Sequence, residues 1–320
     1  MSATEVELEP AAVEAPRPRR RRRRMRGGWV PYGLAVPTVA VIALVFGYPA
    51  WRLIQMSFQK VSGHNLFRSV PPDWVGFYQY AQVLKNSEFW VVTERTVVFT
   101  IATVVASIGL SLLIALLLNH VSKWAKVLLT TVMIFVWSVP QVVSIKLFAW
   151  LTDPNFGVVN WLLDKLPGVS MAKHDWFLDP HQGLAVASSV VIWGAIPFLA
   201  ITLHAGMTMV PKELLEAARM DGANAWRTFV AVTLPILRPL LVIVTTLSIV
   251  WDIQVFNQIW ILRNGQPGEP YWTLSVFTYD TAINGTNYFL ASAIGVLTVL
   301  LMLGVMVFYI RTIFRIGDND

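Results

Sequence analysis

The chemical group that stands out in this chain is an aspartate inside an apolar run. Asp252 lies within residues 239–262, which hold no other acidic residue. Inserting a charge at such a depth costs roughly 2.5–3.5 kcal/mol, which makes function its default reading. Ser248 stands four residues earlier and Val255 three later, so a helix places all three on one face, with Trp251 beside that stripe. Carboxylate, hydroxyl and indole suit a sugar site, where polar groups meet hydroxyls and an aromatic face covers the C–H side of the ring. A hydrogen-bonded strut between helices is the alternative reading of Asp252.

Other chemistries lack their residues. Cysteine is absent, which removes disulfides and thiolate sites. His64, His120, His174, His181 and His204 are scattered without metal-ligand spacing. No phosphate-cradling G-x-x-x-x-G-K-[ST] sequence occurs, nor a G-x-S-x-G elbow or an H-E-x-x-H pair. The chain is therefore expected to be no enzyme, to bind no cofactor and to hydrolyse no ATP by itself.

The elements that must position these groups follow from composition. Of 320 residues, 55% are hydrophobic and only 14% charged, and the mean hydropathy is +0.57. A hydrocarbon core about 30 Å thick needs roughly 20 apolar residues per helix. Six continuous runs qualify, at residues 29–56, 96–118, 127–151, 183–210, 239–262 and 288–314. Continuous rather than alternating runs favour helices, so an all-α integral membrane protein is expected. Pro140 and Pro197 are expected to bend the third and fourth spans. Between them, the stretch FGVVNWLLDKL from Phe156 reads as a short helix along the membrane surface.

The net charge of +6 is no sign of nucleic acid binding, because eight arginines crowd residues 17–26, next to the first run. Beside a span, such a cluster is a cytoplasmic orientation signal that attracts anionic lipid headgroups. Residues 1–28 are expected to be a disordered cytoplasmic tail without a cleavable signal peptide. Beyond the tail, Lys and Arg are almost balanced across the loops, so the tail carries the orientation. Both termini and residues 211–238 are then expected in the cytoplasm.

That segment reads VPKELLEAARMDGANAWRTFVAVTLPILRP from Val210. Pro211 suits the first turn of a helix, Gly222 a left-handed helix stop, and Asn224 a cap for a second helix that Pro235 limits. Two short helices meeting at Gly222 would form a bent cytoplasmic knob. Ala217 and Ala218 leave a small surface for a partner groove, flanked by Glu216 and Asp221.

Here the sequence resembles a known family. Glu216-Ala217-Ala218, three residues, Gly222, nine residues and Val232-Thr233-Leu234-Pro235 match the EAA loop of ABC importer permeases, with Val232 where that family usually has Ile. Trp137-Ser138-Val139-Pro140, the FGVVNWLL stretch, Trp176-Phe177-Leu178-Asp179-Pro180 and Asn264-Gly265-Gln266-Pro267 resemble, in order, the larger permease of maltose-type importers. The extra spans and large outer insert of the maltose permease are missing.

The resemblance implies the six-helix type I importer fold and a bacterial plasma-membrane location. It implies a second permease, an extracytoplasmic binding protein and two ATP-binding subunits that hold ATP and Mg. Glu216, Ala217, Ala218, Asp221 and Gly222 would dock on an ATP-binding subunit. Trp137, Gln141, Gly194, Ala195 and Phe198 would join Ser248, Trp251, Asp252 and Val255 along the substrate pathway. The expected cargo is a sugar, such as a maltose- or trehalose-like glycan. The rival readings are an importer of a non-sugar solute and a secondary transporter with Asp252 as proton site.

Overall fold

The computed structural model describes residues 30–61 and 71–317, with side chains for 32–61 and 71–311. The arginine tail lies outside the described residues. Two compact units divide the chain at Ala50 and Trp51. The first carries α1 (Val30–Ile42), a π-helical turn (Ala43–Gly47) and the start of α2 (Tyr48–Ser57). Pro49 follows that turn, where its missing N–H breaks the ordinary hydrogen-bond ladder.

The second unit opens with a two-stranded antiparallel ribbon, β1 (Gln59–Lys60) and β2 (Asp73–Trp74), and then α3 (Tyr78–Lys85). The long helices are α4 (Ser87–His120), α5 (Lys123–Ser138), α6 (Gln141–Leu151) and, after the short α7 (Val158–Asp164), α8 (Pro180–Thr208). Next come α9 (Lys212–Met220), α10 (Ala225–Thr228), a π-helical turn (Phe229–Thr233) and α11 (Leu234–Asp252). The chain ends with α12 (Asn257–Leu262), a 3-10 turn (Glu269–Tyr271), α13 (Leu274–Ile283) and α14 (Tyr288–Gly317). Among the described residues, five helices are long and apolar enough to cross a membrane, and six if the bent pair α5 and α6 is one span.

α4 and α8 form the most extensive helix pair. The buried face of α4 carries Thr96, Thr100, Thr103, Ser107 and Ser111, spaced three or four apart. Small hydroxyl residues let backbones approach closely in a membrane, and two of these hydroxyls bond to neighbouring elements. Thus Thr96 Oγ1 accepts from Leu274 N at 2.9 Å, and Ser111 Oγ donates to Ile196 O at 3.5 Å.

Pro140 bends the third run as expected, with α5 and α6 meeting at 100°, but other expectations change. Val139 and Pro140 are both extended, since the residue before proline avoids the helical region and proline supplies no N–H. Pro197, by contrast, stays inside the unbroken α8. The fifth run is shifted: its helical stretch is Ala225–Asp252 instead of residues 239–262. Pro235 does not stop the helix that Asn224 begins, because the π turn absorbs the missing hydrogen bond and Pro235 sits in the first turn of α11. Only residues 211–224 of the expected 211–238 loop remain outside that long helix. Asp252 consequently ends a helix instead of lying mid-span.

Candidate functional site

A cavity of about 500 Å³ opens between α5, α6, α8 and the end of α11. Its wall includes Trp137, Gln141, Gly194, Ala195, Phe198, Trp251, Asp252 and Val255. These residues come from four helices and the break after Asp252, so the fold unites positions more than a hundred residues apart. Trp137 stacks on Phe198 with centroids 6.1 Å apart, and Phe198 meets Trp251 edge-on at 5.7 Å. The rings form a continuous aromatic strip. A Cβ added at Gly194 would meet nothing within 4 Å, so the backbone there faces open space.

Two expected members sit differently. Ser248 is 2% exposed and does not line the cavity, because it is a full turn deeper between α11 and its neighbours. Val255 lines the cavity but shares no helical face with Asp252, since the helix has ended there. It is tied down in the break, with its N–H donating to Asp252 O at 3.3 Å and its carbonyl accepting from Thr273 Oγ1 at 3.1 Å.

Asp252 is 5% exposed and lies against Thr103 of α4, whose hydroxyl hydrogen is given to Phe99 O at 2.8 Å. Oδ2 is buried and has no hydrogen-bond partner among the described residues. Its carboxylate therefore bears on the seam between α4 and α11 as well as on the cavity wall.

Sequence reasoning missed Ser144, Trp193, Gln254 and Gln258 of the wall. The amides of Gln254, Asn257 and Gln258, close together within the apolar run of residues 239–262, were the available signal. Gln141 begins α6 and accepts a 2.9 Å hydrogen bond from Asn257, which begins α12.

The knob is built as its residues dictate. Gly222 has φ +79°, and the left-handed residue lets Ala223 N donate to Ala218 O and Gly222 N to Arg219 O, both at 3.0 Å. That double bond closes α9. Asn224 Oδ1 then accepts from Arg227 N at 2.8 Å and starts the next helix. Glu216, Ala217, Asp221 and Gly222 are exposed and Ala218 is half-buried. Leu214, Met220 and Trp226 expose large apolar side chains on the same knob, Met220 at 89% and Trp226 at 71%.

The remaining quoted segments join in a cap formed by the 152–182 and 263–272 connections. Trp176 Nε1 donates to Asn160 Oδ1 at 2.6 Å, and Tyr271 Oη donates to Phe177 O at 2.7 Å. Arg263 lies over the Tyr271 ring at 4.5 Å and over Phe177 at 5.7 Å. Burial raises the pKa of the Tyr271 hydroxyl, with Arg263 opposing, so it remains a donor at neutral pH. No cluster of three or more His, Asp or Glu able to hold a metal occurs among the described residues.

Residues 107–316 match the family model described as "Binding-protein-dependent transport system inner membrane component". The chain is 36% identical over 294 residues to the diacetylchitobiose uptake system permease protein DasB of Streptomyces coelicolor, covering 92% of this chain and 89% of that one. It is 33% identical over 281 residues to the trehalose/maltose transport system permease protein MalF of Thermococcus litoralis, covering 88% and 92%. Among solved structures, a chain of a bacterial ABC transporter involved in the import of the acidic polysaccharide alginate has the same fold. Its TM-score is 0.76 at 23% identity, over 90% of this chain and 96% of that one.

Proposed function

The chain belongs to the family of binding-protein-dependent transport system inner membrane components, and from that premise we propose that it is the permease subunit of an ATP-driven sugar importer. The observation that carries the proposal is the continuous helical stretch Ala225–Asp252, which joins the knob to the cavity wall. α11 alone spans about 27 Å at 1.5 Å per residue. A displacement imposed on the knob is transmitted along this rod to Trp251 and Asp252.

In this reading, the exposed face of α9 around Glu216, Ala217 and Ala218 docks on an ATP-binding subunit, which holds ATP and Mg. Asp221 and Gly222 set the bend that presents it. Closure of two such subunits rocks this chain against a second permease, while an extracytoplasmic binding protein delivers the solute. Both termini lie in the cytoplasm of a bacterial cell, and this chain binds no cofactor.

The cavity suits a hydroxyl-rich ring. Trp137, Phe198 and Trp251 supply apolar faces, while Gln141, Gln254, Gln258 and Asp252 supply polar groups. Its volume is within the roughly 300–1,000 Å³ of ordinary ligand pockets. Relatives named for diacetylchitobiose and for trehalose/maltose support a di- or oligosaccharide.

The test is uptake by the complex reconstituted with its binding protein, challenged with chito-, malto- and trehalose-type sugars, amino acids and oligopeptides. ATP-dependent accumulation of a sugar is expected. Accumulation of an amino acid or peptide, with no sugar carried, would replace the sugar assignment by the non-sugar one.

A further inference from the structure

Behind the cavity wall, α4 and α11 enclose more oxygen than they satisfy. The helices run antiparallel: Thr103 meets Asp252, while Ala115 clusters with Leu237 and Val244 further along. One turn beyond the Thr103–Asp252 contact, Ser107 on α4 therefore comes level with Ser248 on α11. Ser107 is 0% and Ser248 2% exposed, and neither hydroxyl has a hydrogen-bond partner among the described residues. Asp252 Oδ2 and Thr100 Oγ1 are buried in the same condition. Thr103 Oγ1 donates to Phe99 O at 2.8 Å and keeps lone pairs free.

Buried polar atoms in native proteins are almost always paired, so such a cluster calls for a missing partner. The electrostatics select its sign. Asp252 is the last residue of α11, at the negative end of the helix dipole, where an acidic group is normally disfavoured. That last turn holds no basic residue, and no basic side chain acts on Asp252 among the described residues. After Asp252 the chain unwinds through residues 253–256 before α12. Helix C-terminal ends beside unwound backbone are where membrane proteins coordinate sodium or protons.

We propose that the seam between α4 and α11 binds one monovalent metal cation, with Asp252 Oδ2, Ser248 Oγ, Ser107 Oγ and Thr103 Oγ1 as its oxygen donors. One carboxylate with neutral hydroxyls neutralises a single positive charge, and hard oxygen donors suit an alkali cation over a transition metal. The ion would hold the end of α11 against α4 and so fix Trp251 at the cavity wall. The inference rests on the permease reading only for the membrane setting. Its test uses neither sugar nor ATP, so either proposal can fail alone.

The experiment measures saturable binding of radioactive sodium and rubidium to the purified complex in choline buffer, for the wild type and Asp252→Asn. Thermal unfolding in sodium, potassium and choline chloride at equal ionic strength accompanies it. The expected result is one fewer cation bound per copy of this chain in Asp252→Asn, and a higher midpoint in sodium or potassium than in choline for the wild type alone. Should Asp252→Asn fail to assemble, the Ser107→Ala, Ser248→Ala double variant replaces it and should bind the ion more weakly. Equal binding by wild type and the assembled variant, or no saturable binding at all, overturns the proposal. So does a midpoint that follows pH but is indifferent to the cation, which would place a proton on Asp252.

Discussion

Asn257 donates to Gln141 at 2.9 Å, and each residue opens a helix that follows a break in the helical path. One break is at Val139 and Pro140, the other at residues 253–256. The hydrogen bond thus ties the starts of α6 and α12 together, with Gln141 at the cavity wall. Removing either partner should cost about 0.5–1.5 kcal/mol, toward the low end because both side chains are exposed. Thermal unfolding of Gln141→Ala, Asn257→Ala and the double variant forms the cycle. The double variant should be little worse than either single one. Full additivity would show that the bond couples nothing.

Gly222 should tolerate asparagine far better than valine. A β-branched residue at φ +79° is strained by about 1–2 kcal/mol, whereas asparagine enters this region readily. Space is not the obstacle, since nothing lies within 4 Å of an added Cβ. Gly222→Val should therefore lower ATP-driven uptake while the isolated binding protein retains its ligand affinity, and Gly222→Asn should keep most of the uptake. Equal transport by both variants would separate the bend from coupling.

Within the cavity, Gly194→Leu should block transport without weakening assembly, because its new side chain enters open space. Phe198→Ala, which breaks the ring strip between Trp137 and Trp251, should lower uptake per assembled complex. For Asp252, the alanine variant should reduce uptake more than the asparagine variant, which keeps a polar side chain at the cavity wall. Transport at wild-type rates by Gly194→Leu would exclude this cavity from the pathway. If Asp252→Ala lowers only the amount of complex, the residue is a strut and not a solute contact.

Much of this arrangement was legible in residue types. The apolar runs are helices, and the φ of Gly222 and the capping bond of Asn224 follow from what glycine and asparagine allow. Ring and amide side chains on four separate helices line one cavity, although periodicity places none of those helices relative to another. What stayed hidden depends on backbone geometry beyond single residues. Pro140 breaks its helix while Pro197 does not, and Pro235 is absorbed by a π turn, a difference that proline itself does not encode. The end of α11 at Asp252 had no glycine or proline to announce it, so Ser248 keeps the expected helical face with Asp252 while Val255 does not. The Thr103 contact needed the packing of α4 on α11.

The cap makes a steric prediction. A Cβ at Gly183 would lie 2.7 Å from the Tyr271 ring and 3.0 Å from Phe177, both rigid groups. Gly183→Ala should destabilise the complex by about 1–3 kcal/mol, the usual cost of overpacking. Tyr271→Phe, which loses only the 2.7 Å bond to Phe177 O, should cost less. A thermal midpoint unchanged by Gly183→Ala would mean that the cap relaxes without cost.

The central claim is that this chain moves solute only when partner subunits hydrolyse ATP. The most direct measurement compares uptake into liposomes holding this chain alone with uptake into liposomes holding the assembled complex, each with ATP or with an imposed pH gradient. The account predicts sugar uptake only in the complex, and there only with ATP and the loaded binding protein. Sugar uptake driven by the pH gradient through this chain alone would contradict it.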